Sequence, residues 1–582
     1  MGTRFTRITF GLLSSLGLAG AGLYLARRRL FARWLGLPPV LNGVTVERNI
    51  AVPAEDGVKL MSDHYAPKGA NGQEFPTILI RTPYGRGFDA PFPLAVMSIV
   101  VAQRFAERGY HVLVQSVRGR FDSQGEFVPR QNERRDGQAT LQWLSQQPWF
   151  NGQVATWGQS YLGFVQWAVA DSPFVKAMVP IITSSQAYQV TYPDGVFDLD
   201  RALHWIYIIT NLGGPVRQSI WKILRKLQTA NQEKELAPAF LHLPLIEADR
   251  VATGHQIPFY RNWLHHPHAA DSYWKKSDHS GIVPQVVAPV HLVSGWYDLM
   301  LRELLHDYQR LKDAGQSPYL TIGPWHHVSE GCFVEGIRSG IDWFDAQLKG
   351  EKSRLRQKAV RCFVMGANEW REAESWPPAS RETRYFLQGQ GKLAQETPAT
   401  RCAPDHYRYD PAHPTPVVGG TLLTSFVGPK DNRELEARPD VLVYSTLPLE
   451  QEVEINGWVK LELFVRSSLE HTDFSGRLCD VYPDGRSINI CDGLLRVEPG
   501  KGEAQPDGSL KLEIGLWATA QRFRLGHCIR LQVSSGAHPH WTRNLGTGEP
   551  FATATRILTA DQTIYHDAAH PSALVLPVVD KL

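Results

Sequence analysis

VATWGQSYLG, Val154 to Gly163, decides how this chain is read: an apolar run is broken at Gly158-Gln159-Ser160 and followed by FVQWAVA, Phe164 to Ala170. The first four residues have the composition of a buried strand, and the segment after Gly163 reads as a helix. A serine between them sits where a strained strand-to-helix turn can lift a hydroxyl above a sheet, with small residues where backbones crowd. The strict G-x-S-x-G spacing is not met. Leu162 stands at the second glycine position and Gly163 follows one residue later. Taken alone, the segment reads equally as a turn whose Ser160 caps a helix.

The neighbouring runs settle the fold class. PTILIRTPYG (76–85), GYHVLVQSVRG (109–119), VKAMVPIITSS (175–185), APVHLVSGWYD (288–298) and SPYLTIGPWHH (317–327) each read as a buried strand entering a loop. Helical stretches such as Asp136–Leu144 and Leu301–Ala314 lie between several of them. Continuous apolar strands alternating with helices predict an α/β fold, a mostly parallel sheet covered on both faces. Ligands of such sheets bind beyond the carboxyl ends of the strands. Asp298 closes HLVSGWYD and His327 closes LTIGPWHH, so the chain order is Ser160, Asp298, His327, the order of α/β-hydrolases. A histidine can take the serine proton, and a carboxylate fixes its tautomer and stabilises the imidazolium. Spacing alone leaves His326 and His327 as equal choices for the base.

Two other intervals have a different texture. Residues 186–287 carry no strand run but hold helical, aromatic segments such as LHWIYIITNL, and are too long for a loop, so they read as an inserted helical cap. From residue 356 onward, alternating segments such as VKLELFVRSS and CIRLQVSS predict an antiparallel β-sandwich. The expected organisation is an N-terminal segment (1–40), an α/β-hydrolase body (41–355) and an all-β region (356–582).

Composition excludes several function classes. The 582 residues carry 61 Lys+Arg against 58 Asp+Glu, a balance unsuited to binding nucleic acid through its phosphates. The cysteines at 332, 362, 402, 479, 491 and 528 have neither CxxC nor zinc spacing, and the HHPH run at 265–268 has no metal-ligand spacing. No cofactor or metal is implied. The 17 Trp, 19 Tyr and 24 Phe suit large cores and an aromatic-lined pocket. At the N-terminus, residues 8–26 are uncharged and collared by Arg4, Arg7, Arg27, Arg28, Arg29 and Arg33. At 1.5 Å per residue they span a hydrocarbon core of about 30 Å, which predicts a single-pass membrane anchor. A secreted or periplasmic protein after cleavage near Ala19-Gly20-Ala21 is the alternative.

In its motifs the chain resembles the family of cocaine esterase and X-prolyl dipeptidyl peptidase, serine hydrolases with a C-terminal jelly-roll domain. GQSYLG is similar to that family's G-x-S-Y-x-G elbow, SGWYD to its acid segment, and GPWHH to its G-P-W-x-H, which implies His327 as the base. RTPYGRG resembles its R-x-P-Y segment, implying the Tyr84 hydroxyl and the Tyr161 backbone N–H as oxyanion donors. HTDFSGRLCDVYPDGRS and FRLGHCIRLQVSSGAHPHWTRN resemble its jelly-roll domain. Members that act on α-amino acid esters carry carboxylates two and three residues after the catalytic Asp. Here Met300 and Leu301 stand there. An unpartnered buried ammonium costs several kcal/mol, which argues against that subclass. Asp194, Asp198 and Asp200 in the cap are the other acids that could anchor an ammonium.

The expected function is hydrolysis of esters, or amides, with an apolar acyl or alcohol group through an acyl-enzyme on Ser160. Cleavage after X-Pro from a free N-terminus is the second expectation. A membrane-tethered, non-catalytic binding protein is the third.

Overall fold

The computed structural model describes residues 28–30, 32–68, 74–87, 94–212, 229–423 and 427–580. The apolar stretch 8–26 lies outside them. Among the described residues, no helix is long and apolar enough to cross a membrane.

Ten strands form the first sheet: β1 Gly43–Pro53, β2 Lys59–Lys68, β3 Thr77–Thr82, β4 His111–Ser116, β5 Val154–Gln159, β6 Val175–Ile181, β7 His291–Tyr297, β8 Tyr319–His326, β9 Val360–Val364 and β10 Glu369–Ala373. Their order is β1-β2-β4-β3-β5-β6-β7-β8-β9-β10. From β4 through β9 neighbouring strands are parallel. Antiparallel pairs extend the sheet at both edges. Every residue of β3 and β7 is buried, as a parallel strand covered on both faces requires.

The helices that position the site are α1 Leu94–Ala106, α2 Glu133–Leu144, α3 Tyr161–Trp167, α4 Leu199–Leu212, α5 Leu301–Asp313 and α6 Glu330–Leu348. Between β6 and β7 the described chain is helical, with α4, Thr229–Phe240 and Pro258–His265 as its longer pieces. An aromatic core holds these together, with Tyr192, Phe197, Trp205, Tyr260, Trp263 and Trp274 all buried.

The first sheet continues beyond residue 355, where the sequence places the start of the sandwich. β9 and β10 hydrogen-bond to it before the chain enters a second sheet of twelve strands. The long pairs of that sheet are Val453–Ser467 with Leu510–Phe523 and Thr472–Val481 with Ser487–Val497. One apolar cluster runs from Leu141, Leu292, Leu304 and Tyr308 to Trp376, Leu461 and Leu531, so the two sheets share a core. All six cysteines are free thiols.

The first turn of α5 carries a buried carboxyl. Glu303 Oε1 lies 3.1 Å from Arg302 Nε, while Oε2 has no hydrogen-bond partner among the described residues. Burial outweighs the Arg302 charge and raises its pKa from 4.5 to about 7. The folded state therefore holds this proton more tightly than the unfolded chain, so the contribution to stability is full below pH 4.5 and falls as pH rises to about 7. Glu303→Gln is expected to stabilise the protein relative to wild type more at pH 8 than at pH 5, by about 2 kcal/mol. Thermal denaturation of both proteins at the two pH values checks this, and an unchanged difference would refute it.

Candidate active site

Ser160, Asp298 and His327 each follow directly on the carboxyl end of a strand, β5, β7 and β8. Three parallel strands thus deliver the three side chains to one edge of the sheet. Ser160 has φ 58° and ψ −120°, a backbone that a residue with a Cβ adopts only when its surroundings hold it there. Its N–H donates to Ile181 O at 2.9 Å, and its carbonyl accepts from the Thr183 hydroxyl at 2.8 Å and the Phe164 N–H at 3.0 Å. The crowding explains which small residues the turn requires. A Cβ on Gly158 would stand 2.3 Å from Leu162 Cβ, and one on Gly163 would stand 2.6 Å from Thr183 Cβ. Position 162 is under no such constraint, and Leu162 lines the adjoining cavity.

His327 Nε2 lies 2.9 Å from Ser160 Oγ, and Nδ1 lies 2.7 Å from Asp298 Oδ2. Asp298 is fully buried, and its Oδ1 accepts the Met300 N–H at 2.8 Å. The carboxylate thus fixes the imidazole with its Nδ1–H toward Asp298 and a free lone pair toward the serine, the arrangement that lets the ring take the serine proton. His326, which spacing could not separate from His327, is turned elsewhere. Its N–H donates to Ser329 Oγ at 2.8 Å, and its ring Nδ1 is buried without a partner among the described residues.

The two remaining expected residues adjoin the serine. The Tyr84 hydroxyl interacts with the Ser160 side chain and accepts from Trp205 Nε1 at 3.1 Å, and its enclosure raises its pKa, which keeps the proton available for donation. Tyr161 opens α3, where backbone N–H groups lack intrahelical acceptors. Its own hydroxyl points away, donating to Glu133 Oε1 at 2.7 Å and accepting the Arg130 N–H at 2.8 Å.

These groups open on a cavity of about 410 Å³ whose walls include Leu162, Trp205, Leu299, Met300, Phe333 and Leu423. Leu423 comes from the β-rich region, and its N–H donates to Asp200 Oδ2 at 2.8 Å. None of the described residues lining the cavity is an Asp or Glu. The three cap acids are otherwise engaged: Asp194 pairs with Arg302, Asp198 with Arg201 at 3.4 Å, and Asp200 with His204 at 3.1 Å. Sequence patterns did not reveal Thr183, Trp205, Arg130 or Arg201 as neighbours of the site. Arg201 and Trp205 reach it from the cap helix α4, Arg130 from the loop between β4 and α2, and Thr183 from the loop that follows β6, so only the tertiary packing brings the four together.

The fold and this hydrogen-bonded trio define a serine hydrolase of the α/β-hydrolase class. Cocaine esterase of Rhodococcus sp. (strain MB1 Bresler) is 33% identical over 580 residues, covering 92% of this chain and 99% of that protein. The chain belongs to the family of cocaine esterase and the X-Pro dipeptidyl-peptidases. Residues 56–329 match the X-Pro dipeptidyl-peptidase (S15) family and residues 355–575 match the X-Pro dipeptidyl-peptidase C-terminal non-catalytic domain. Among solved structures, an α-amino acid ester hydrolase matches at TM-score 0.77 and 23% identity, covering 94% of this chain and 98% of that one. An aminopeptidase from a marine sediment Thaumarchaeota archaeon matches at TM-score 0.77 and 23% identity over 93% of this chain and 97% of that one. Both likenesses are to the fold.

Proposed function

We propose that this protein cleaves carboxylic esters through an acyl-enzyme. In this reading the Ser160 oxygen attacks the ester carbonyl while His327 Nε2 accepts its proton. The negative charge that develops on the carbonyl oxygen is met by the Tyr84 hydroxyl and the Tyr161 N–H, each such donor being worth about 3 kcal/mol of barrier. Collapse of the tetrahedral intermediate breaks the bond to the alcohol oxygen, which leaves with the proton from His327. Water then attacks the acyl-serine carbonyl while giving a proton to His327, and collapse breaks the bond to Ser160 Oγ, which takes that proton back as the acid is released. Asp298 orients the ring in both halves.

The observation that favours esters over X-Pro peptides is the lining of the cavity. A peptide N-terminus arrives as an ammonium, and the described lining residues include no carboxylate to receive it. Purified protein incubated with a fluorophosphonate probe, 4-nitrophenyl butyrate and an X-Pro 4-nitroanilide tests this. Labelling with ester turnover well above peptide turnover is the expected result. Faster cleavage of the dipeptide, abolished by N-acetylation, would establish the peptidase instead, and a folded protein inert to all three would point to a binding protein.

For localisation, the charge-free stretch 8–26 with its arginine collars supports a single-pass anchor. The full chain is expected in the carbonate-resistant membrane fraction, and its recovery in the soluble fraction would refute the anchor.

A further inference from the structure

Two buried guanidinium groups face the catalytic cavity. Arg130 and Arg201 line it, 7% and 3% exposed respectively, and with His327 they are the ionisable bases among its described lining residues. Arg201 has an ion partner in Asp198, 3.4 Å from its Nε, yet its Nη2 is buried without a hydrogen-bond partner among the described residues. Arg130 has no ion pair with a carboxylate among the described residues. Its guanidinium carbon sits 5.7 Å from the Tyr161 ring centroid and 5.5 Å from that of Phe164, and its Nε is likewise unpartnered. The nearby acid Glu133 is taken up by Arg81 at 3.0 Å. Arg120 adds a third positive charge behind Tyr84, its Nε and Nη2 donating to the carbonyls of Pro83 and Ile209 at 3.0 and 3.1 Å.

Burial and the repulsion of Arg201 draw the Arg130 pKa down to about 10, so the group remains charged at neutral pH. Burying a charge without a counter-ion is costly, and a folded chain tolerates the cost where a ligand supplies the counter-ion. The planar fork of an arginine matches a carboxylate. We propose that Arg130 and Arg201 form a carboxylate-binding subsite in the catalytic cavity, so that the preferred substrates are esters carrying a free carboxylate. This rests on the ester-hydrolase reading above and names the substrate class of that same site. Tyr161 couples the two functions, since its backbone N–H adjoins the nucleophile while its ring supports the Arg130 guanidinium and its hydroxyl accepts the Arg130 N–H.

Two matched substrate pairs test the proposal. Mono-4-nitrophenyl glutarate against its methyl ester places the carboxylate on the acyl side, and 4-butyryloxybenzoate against its methyl ester places it on the alcohol side. After subtraction of spontaneous hydrolysis, wild-type kcat/KM is expected to favour the acid over its methyl ester at least tenfold in one pair. Arg130→Gln should bring that ratio toward one, and Arg130→Lys should restore part of it. Should Arg130→Gln fail to fold, inhibition of the wild type by glutarate but not by glutaramide carries the same information. Ratios at or below one in both pairs, in a protein that still labels with fluorophosphonate, would overturn the subsite while leaving the hydrolase intact. An unchanged ratio in Arg130→Gln would overturn the role of Arg130. A folded wild-type protein that neither labels nor turns over any of these esters would instead refute the hydrolase reading.

Discussion

Ser160→Ala is expected to keep the wild-type fold and to lose ester turnover by a factor on the order of 10⁴ to 10⁶. The side chain carries little of the structure, because the elbow is pinned by backbone groups: the Ser160 N–H to Ile181, and its carbonyl to Thr183 and Phe164. What the substitution removes is the Oγ that lies 2.9 Å from His327 Nε2. Asp298→Asn should lose about 10³ to 10⁴-fold in kcat, because an amide in place of the buried carboxylate no longer fixes the tautomer or stabilises the imidazolium. The two losses should not add in the double variant, since the residues act as one unit. Circular dichroism, fluorophosphonate labelling and kcat on one ester check all three. A Ser160→Ala protein retaining a tenth of the activity would end the acyl-enzyme assignment.

The second large effect is expected from Gly158→Ala, a change of one methyl group at a residue that is not among those lining the cavity. Gly158 has φ 156°, and its added Cβ would meet Leu162 Cβ at 2.3 Å and the Leu162 backbone oxygen at 2.9 Å. A flexible side chain could move aside, but the first turn of a helix cannot without displacing Ser160. Overpacking of this kind costs about 1–3 kcal/mol. A nucleophile displaced by about 1 Å loses on the order of 10²-fold in rate. The variant should therefore melt lower and turn over at least a hundredfold more slowly, with labelling slowed in parallel. Wild-type kinetics would mean that the elbow has more room than its contacts indicate.

Much of this architecture was legible in the sequence because its central strands are buried on both faces. β3, β5, β7 and β8 appear as unbroken apolar runs, and each run ends where polar chemistry begins, so Ser160, Asp298 and His327 stood out at the ends. The edges were harder to read. β9, next to the edge, alternates buried and half-buried residues, and β10 has no buried residue because an edge strand is half solvated. That is also the pattern of a sandwich strand, so residues 360–373 read from the sequence as part of the β-rich region, and the match to the C-terminal non-catalytic domain likewise begins at residue 355. Leu162 departs from a motif that encodes steric room, and the structure places that demand at Gly158 and Gly163. Arg130 and Arg201 left no mark in the sequence. An arginine destined for a buried cavity looks the same as one destined for the surface, and only long-range packing separates them.

The core shared by the two sheets has a bearing on how such a chain can diversify. A crossover near residue 360 that exchanged one β-rich region for another would cut the first sheet before its last two strands and leave Leu304 and Tyr308 facing an unfamiliar surface. It would also replace Leu423, a wall of the cavity. A chimera made by such an exchange is expected to melt lower than the parent and to have an altered cavity, so the specificity of this chain is changed more readily by substitutions around the cavity than by trading the β-rich region.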